Sequence, residues 1–490
     1  MSDEYRFPMS LRSVIRDALP EDTSLRGRRP ELRHTYLPAG HAKALHPDNM
    51  LVTGIRGAGK SFWWAALQDE KVRSAFSGKF PRASLTVEAT VSAGFGERSN
   101  PVDYPGKDTI ADLLTRYDSR QIWRTIVLWH VTYGQIGESP LARMNEWTER
   151  VAWVQEQPEQ VECLFDDADR ELDRAGKYHL ILFDALDRTA DEWPEMHNLV
   201  KGLLQVLLEC SSTRRIRPKA FLRADQIEDP QVTAFPDASK VLARRVDLVW
   251  PPNELYGLFW QYLANATEGG QDFRKGCEQG CGITWSKTGT VWDVPDSLKN
   301  DEALQRKVFH AITGPYMGKD RRRGYPYTWL PNRLGDTRRQ VSPRSFLAAL
   351  RKAAEDEQRK EYGYALHYEN IKTGVQEASK IRVDELREDY LWVDKLMAPL
   401  EGLSLPCSFE EIVGRWELQL GLTKFSEWVT ASSVRLPPAN IALGAVGIRK
   451  DLESLGLFER MSDGRVNLPD VYRIGYRLGR KGGVKPLARG

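Results

Sequence analysis

A chain of 490 residues is too long for one ordinary core and predicts roughly two to four domains. Its 41 % hydrophobic and 28 % charged residues, with a mean hydropathy of −0.50, fit a soluble protein. No apolar run reaches the roughly 18 residues that span a bilayer, and the acidic start Met1-Ser2-Asp3-Glu4 does not read as an export signal, so cytoplasmic residence without membrane contact is expected. A net charge of +2 means that any nucleic-acid affinity must come from local patches. Five cysteines make no disulfide framework. Cys277 and Cys281 lack two further zinc ligands nearby and read as free thiols in a loop. Trp63, Trp64, Trp123, Trp129 and Trp260 fall in apolar helical patterns and read as core.

Residues 1–45 are polar and proline-punctuated, with basic positions Arg26, Arg28, Arg29 and Arg33, and predict an arm. Met50-Leu51-Val52 then reads as the end of a buried strand. It runs into Gly54-Ile55-Arg56-Gly57-Ala58-Gly59-Lys60-Ser61, and Phe62-Trp63-Trp64-Ala65 starts an apolar helix. This is G-x-x-x-x-G-K-[ST] between strand and helix, the context a phosphate-binding loop needs. Glycines let successive N–H groups turn inward around a phosphate, and the helix N-terminus adds its positive end. The candidate nucleotide-binding residues are Gly54, Arg56, Gly57, Ala58, Gly59, Lys60, Ser61 and Phe62. Lys60 would reach the β- and γ-phosphates of ATP, and the Ser61 hydroxyl would join a Mg2+ shell.

An alternating run over 83–91 predicts a strand, followed by helices over 110–116, 121–133 and 158–175. Tyr178 to Phe183 is a continuous apolar strand ending at Asp184, which is the Walker B pattern with Asp184 as a magnesium ligand. Asp187, three residues on, is placed either to orient the attacking water as catalytic base or to cap the next helix. A helix over 196–209 precedes the strand Ala220-Phe221-Leu222-Arg223, whose end is the place of a γ-phosphate sensor. The strand Val246-Asp247-Leu248-Val249-Trp250 closes the sheet.

Residues 252–360 read as a helical lid with a polar excursion at 268–300, and Ser342-Pro343 is a strong helix start. Residues 361–404 read as a charged helical connector. From 405 to 490 the pattern is helix, helix, then a hairpin with a Ser462-Asp463-Gly464 turn, as in a winged helix. Its tail holds Arg473, Arg477, Arg480, Lys481, Lys485 and Arg489, a phosphate-attracting patch without sequence information of its own. A second basic cluster comprises Lys319, Arg321, Arg322, Arg323, Arg333, Arg338, Arg339 and Arg344, interleaved with Tyr325, Tyr327 and Trp329. It suits either nucleic acid or a subunit interface.

With these motifs in hand, the chain resembles the AAA+ and STAND group of P-loop ATPases over about 50–360. The resemblance implies an α/β fold: a parallel sheet flanked by helices over 46–251, then the helical lid and the winged-helix-like domain. It also implies homo-oligomers in which Arg244 or Arg245, before the last core strand, serves as a finger in trans, and a lid arginine at Arg344. Ala185 stands where AAA+ members usually have glutamate, a spacing similar to STAND switches. Both arginines before the closing strand also fit simple surface ion pairs, with Asp237 or Asp247 as partners. The leading expectation is an ATP-driven switch that engages DNA or a protein effector encoded nearby, in the setting of phage defence or mobile elements. A DNA-loading or transposition-type ATPase and a nucleotide-binding scaffold with vestigial hydrolysis are the alternatives.

Overall fold

The strand run His179-Leu-Ile-Leu-Phe183 is buried at every position, as a central parallel strand covered on both faces must be. In the computed structural model, which describes residues 5–21, 30–79, 89–133, 139–355 and 362–480, it is one of five parallel strands. These are β1 (Leu51–Gly54), β2 (Thr90–Phe95), β3 (His179–Phe183), β4 (Ile216–Arg223) and β5 (Val246–Asp247), in the order β2-β3-β4-β1-β5. The expected strand over 83–91 falls mainly on residues outside those described, and β2 starts at its end. β4 lies between the Walker B strand and the Walker A strand, with Gly54 opposite Arg223. The ends of β1, β3 and β4 therefore meet at one edge.

The described residues divide into two compact units, one covering Pro30 and 37–249 and the other 5–21, 31–36 and 250–480. In the first, helices Ser119–Thr132 and Trp193–Cys210 pack with Ile181, Phe183, Ala220 and Leu222 in one core. The two helices touch at Gly202, where a Cβ would lie 2.3 Å from the Ser119 Oγ. The Trp123 indole N–H donates to the Leu199 carbonyl at 2.8 Å across the same contact. Below the sheet entry, buried Lys219 donates to the Ala44 and His46 carbonyls at 2.8 and 3.0 Å, fixing the segment that feeds β1.

Three imidazoles sit in this unit's interior. His41 bridges the Trp63 indole N–H and the Val249 carbonyl, and His179 lies 2.9 Å from the Ser92 hydroxyl. Burial pushes His41 and His130 down to about 4 and His179 to about 3. Each folded value lies below the 6.5 of a free imidazole, so the unfolded chain binds protons first. The stability these groups hold is complete above about pH 6.5 and is lost as pH falls through about 4, up to roughly 3 kcal/mol for His41 alone. Urea midpoints should fall steadily from pH 7.5 to 5, and a midpoint independent of pH over that range would contradict the burial of these rings.

In the second unit, the segment expected as an arm contributes a helix, Leu11–Ala18, that buries Phe7, Leu11, Ile15 and Leu19 in the unit's own core with Trp260 and Phe273. Gly280 admits the Tyr5 ring, since a Cβ there would meet it at 2.2 Å. Helix Pro343–Glu355 begins where Ser342-Pro343 predicts. It packs on the long helix Tyr368–Asp389 at Gly374, whose missing Cβ leaves room for the Ala349 carbonyl. Cys277 and Cys281 lie on helix Gly270–Cys281, with Cys277 buried, and not in a loop as the sequence suggested. The glycines around them had hidden a helix whose buried face carries Phe273, Gly276 and Cys277.

The end of this unit is a winged-helix arrangement. Helices Phe409–Gln419, Leu422–Ala431 and Gly444–Ser454 precede an antiparallel hairpin pairing Glu459–Arg460 with Val466–Asn467. Cys407 bridges to Val466 as a third strand position. Before the hairpin one helix more is present than the two expected: Leu422–Ala431 lies in the stretch between them and starts directly after Gly421 (φ +70°).

Candidate active site

The glycine-rich loop after β1 owes its shape to two positions that only glycine fits well. Gly57 and Gly59 adopt φ of +75° and +102°, and Gly54 has Ala58 Cβ 3.0 Å from where its own Cβ would stand. Gly59 caps helix Lys60–Gln68, so the first helical N–H groups open at the end of β1. Arg56 and Phe62 are half-buried beside the loop, Phe62 edge-on to Trp63 at 5.1 Å, and Ala58 is buried beneath it. The Lys60 ammonium donates to the Gly54 and Ile55 carbonyls at 3.1 and 3.0 Å. It is folded back onto its own loop.

Around Lys60 the sheet edge gathers charge. Asp184 is 5 % exposed and carries the Ser61 hydroxyl as a hydrogen-bond donor. Burial raises its carboxyl to about 6, against the lowering effects of Ser61 and Lys60. Burial likewise lowers Lys60 to about 8, opposed by Asp184, while Arg223 adds to the lowering. Ala185 takes a left-handed φ of +60°, and the following short 3-10 turn Leu186–Arg188 holds Asp187. Asp187 Oδ2 stands 4.0 Å from Arg223 Nη1, and Asp225 holds the other edge of that guanidinium at 3.0 Å through Nε and 2.5 Å through Nη2. The structure thus brings Gly54, Lys60, Ser61, Asp184, Asp187 and Arg223 together. Sequence reasoning missed Asp225, although its position two residues beyond a strand-end arginine was a signal.

The two arginines before β5 differ. Arg245 pairs with Asp247 at 3.1 Å, so the ion-pair reading holds for that residue. Arg244 is exposed and has no ion pair among the described residues. Arg344 belongs to the other unit, where it donates to Glu385 at 2.6 Å.

Burial and ion pairing take individual residues out of the two basic patches. Arg473 is wholly buried and paired with Asp470 at 2.8 Å, so it cannot meet a phosphate. Arg480 and Arg333 share the same carboxylate, and Arg477 lies 3.7 Å from Glu401. The tail's acidic partners come from outside it, which its own composition conceals. Lys481, Lys485 and Arg489, like Arg26, Arg28 and Arg29, lie outside the described residues. In the 319–344 cluster Tyr327 is core, stacked on Tyr256 at 4.2 Å, and Trp329 sits under Arg333. Lys319, Arg321, Arg322 and Arg323 remain exposed on a turn capped by Asp320, with no ion pair among the described residues. By contrast, the start of helix Gly444–Ser454 exposes Leu443 (64 %) and Val446 (68 %).

No helix among the described residues is long and apolar enough to cross a membrane. No protein-family profile and no curated protein matches the chain. Among solved structures it is similar over nearly its full length to the Aeropyrum pernix ORC1 protein, determined in complex with DNA, at 14% identity and TM-score 0.32, covering 90% of this chain and 93% of that one. The Aeropyrum pernix ORC2 protein, in ADPNP–ADP complexes, matches at 14% identity and TM-score 0.35, over 92% of this chain and 95% of its own. Cdc6p from Pyrobaculum aerophilum matches at 10% identity and TM-score 0.28, over 95% and 94%.

Proposed function

We propose that this chain is an AAA+-type ATPase that binds Mg2+–ATP, hydrolyses it as a molecular switch and assembles into homo-oligomers. The observation that carries the reading is the convergence of Lys60, Asp184, Asp187 and Arg223 around a loop bent by Gly57 and Gly59. The donor set fits the nucleotide: the loop's N–H groups and Lys60 suit phosphate oxygens, and Ser61 with Asp184 suits a hard cation. When bound there, Mg2+ would neutralise charge on the β- and γ-phosphates. Lys60 would leave the Gly54 and Ile55 carbonyls for phosphate oxygens. Asp187 would accept the proton of the water that attacks the γ-phosphorus, while the bond to the ADP oxygen breaks. Arg223 supplies positive charge beside that transfer. Arg344, now on Glu385, is the proposed lid arginine, and Arg244 the better candidate for a finger in trans.

A DNA-loading role is favoured over a protein-effector or defence role by one observation, the four exposed cations on the Lys319–Arg323 turn, which have no ion pair among the described residues. The test is binding to duplex DNA, followed by anisotropy across a salt series, with ATP turnover measured in parallel. Arg321→Glu with Arg322→Glu and Arg323→Glu should weaken binding by about 10²-fold or more and flatten the salt slope by roughly 3. DNA should also stimulate hydrolysis in the unmodified protein. An unchanged slope in the triple variant would remove this turn from the DNA contact and return the protein-effector reading to the front.

A further inference from the structure

Arg223 ends β4 directly opposite Gly54, so its backbone is placed by the ladder that places the phosphate loop. Its own N–H donates to the Gln226 Oε1 at 2.8 Å, which fixes the turn leaving the strand. Its side chain is only 13 % exposed. A planar guanidinium offers two usable edges, and here they are divided. Nε and Nη2 form a forked pair with the two oxygens of Asp225, and Nη1 stands 4.0 Å from Asp187 Oδ2. A long arginine would otherwise lose about 2 kcal/mol of rotamer freedom on being aimed. The fork supplies that aim in advance. Asp225 itself is near enough to Lys60 to act on its charge, so the whole group belongs to one site.

Resting on the ATPase reading above, we propose that Asp225 is a positioning residue. It anchors the rear edge of Arg223 so that Nη1 meets the charge developing on the transferred phosphoryl group. Each chain thereby carries an arginine of its own for hydrolysis. Basal turnover then needs no neighbour, and a finger from another subunit adds to that rate and does not create it.

The experiment is single-turnover hydrolysis by the full chain, with ATP affinity measured separately using labelled nucleotide. Asp225→Asn keeps the shape and removes the charge that pins the fork. It should lower the hydrolysis rate roughly 10- to 100-fold with ATP affinity changed less than about threefold, because misaiming a transition-state contact by about 1 Å costs on that order. Arg223→Ala should cost at least as much. The double variant Arg223→Ala with Asp225→Asn should equal Arg223→Ala alone, since Asp225 acts only through the arginine. On dilution to a monomeric mass the unmodified protein should lose only the stimulation that assembly brings and keep a basal rate that Arg223→Ala lowers. Asp225→Asn at full rate, additive losses in the double variant, or a basal rate that vanishes on dilution would each overturn the proposal. Absence of ATP binding by the unmodified chain would overturn the ATPase reading itself, which separates the two failures. A far-UV spectrum and melting temperature near those of the unmodified chain certify that Asp225→Asn is folded.

Discussion

Replacing Lys60 with alanine should raise the dissociation constant for ATP by about 10²- to 10⁴-fold, since two charge-assisted contacts of roughly 1.5–3 kcal/mol each are lost. The fold should survive. Among the described residues the Lys60 ammonium bonds the Gly54 and Ile55 carbonyls, and burial already lowers its pKa to about 8, so an uncharged side chain relieves a buried cation. The core beneath the helix rests on Trp63, Ala66 and Leu67. The melting temperature should therefore stay close to that of the unmodified chain while titration with labelled nucleotide shows no saturation. Asp187→Asn in the same assay should bind ATP and lose turnover, because it leaves the carboxylate of Asp184 in place. Unchanged ATP affinity in Lys60→Ala would remove the phosphate-loop assignment, and full activity in Asp187→Asn would reduce that residue to a turn residue.

Arg244→Ala should bind ATP normally and lose the stimulation that assembly brings, about 10³-fold if the side chain acts as a finger on the neighbour's phosphate. Arg245→Ala should have a much smaller effect, since its pair with Asp247 is an exposed contact of at most about 1 kcal/mol. Mixing Arg244→Ala with Lys60→Ala subunits is the decisive measurement. In such a mixture an intact phosphate loop meets an intact finger from the adjacent chain, and part of the lost rate should return. No recovery, with a monomeric mass by light scattering in ATP, would leave Arg244 a solvent-exposed cation without a role in hydrolysis. The residual rate in Arg244→Ala should then depend on Arg223 and Asp225.

Local chemistry made much of this protein legible in its sequence. The spacing of Gly54, Gly59, Lys60 and Ser61 and the buried run ending at Asp184 are properties of short segments. Backbone freedom at glycine and the burial of a parallel strand act within a few residues, so the loop and β3 lie where the sequence put them. The winged-helix pattern was legible for the same reason, through helical spacing and the turn at Gly464.

What only the tertiary structure decided were the pairings that join distant parts of the chain. Nothing in the tail 473–489 announces that Asp470 gathers Arg473, Arg480 and Arg333, leaving one of them wholly buried. Nor does the segment before residue 20 reveal that Phe7, Leu11 and Ile15 complete a core built from residues beyond 250. The two arginines at 244 and 245 are equivalent in sequence and differ only because Asp247 faces one of them. Asp225 is a routine polar residue after a strand until β4 is seen beside β1, which sets Arg223 across from Gly54. A charge's role depends on what stands within about 4 Å of it and on whether water reaches the pair. Sequence spacing carries that information along one strand or helix turn, and the sheet order and core supply the rest.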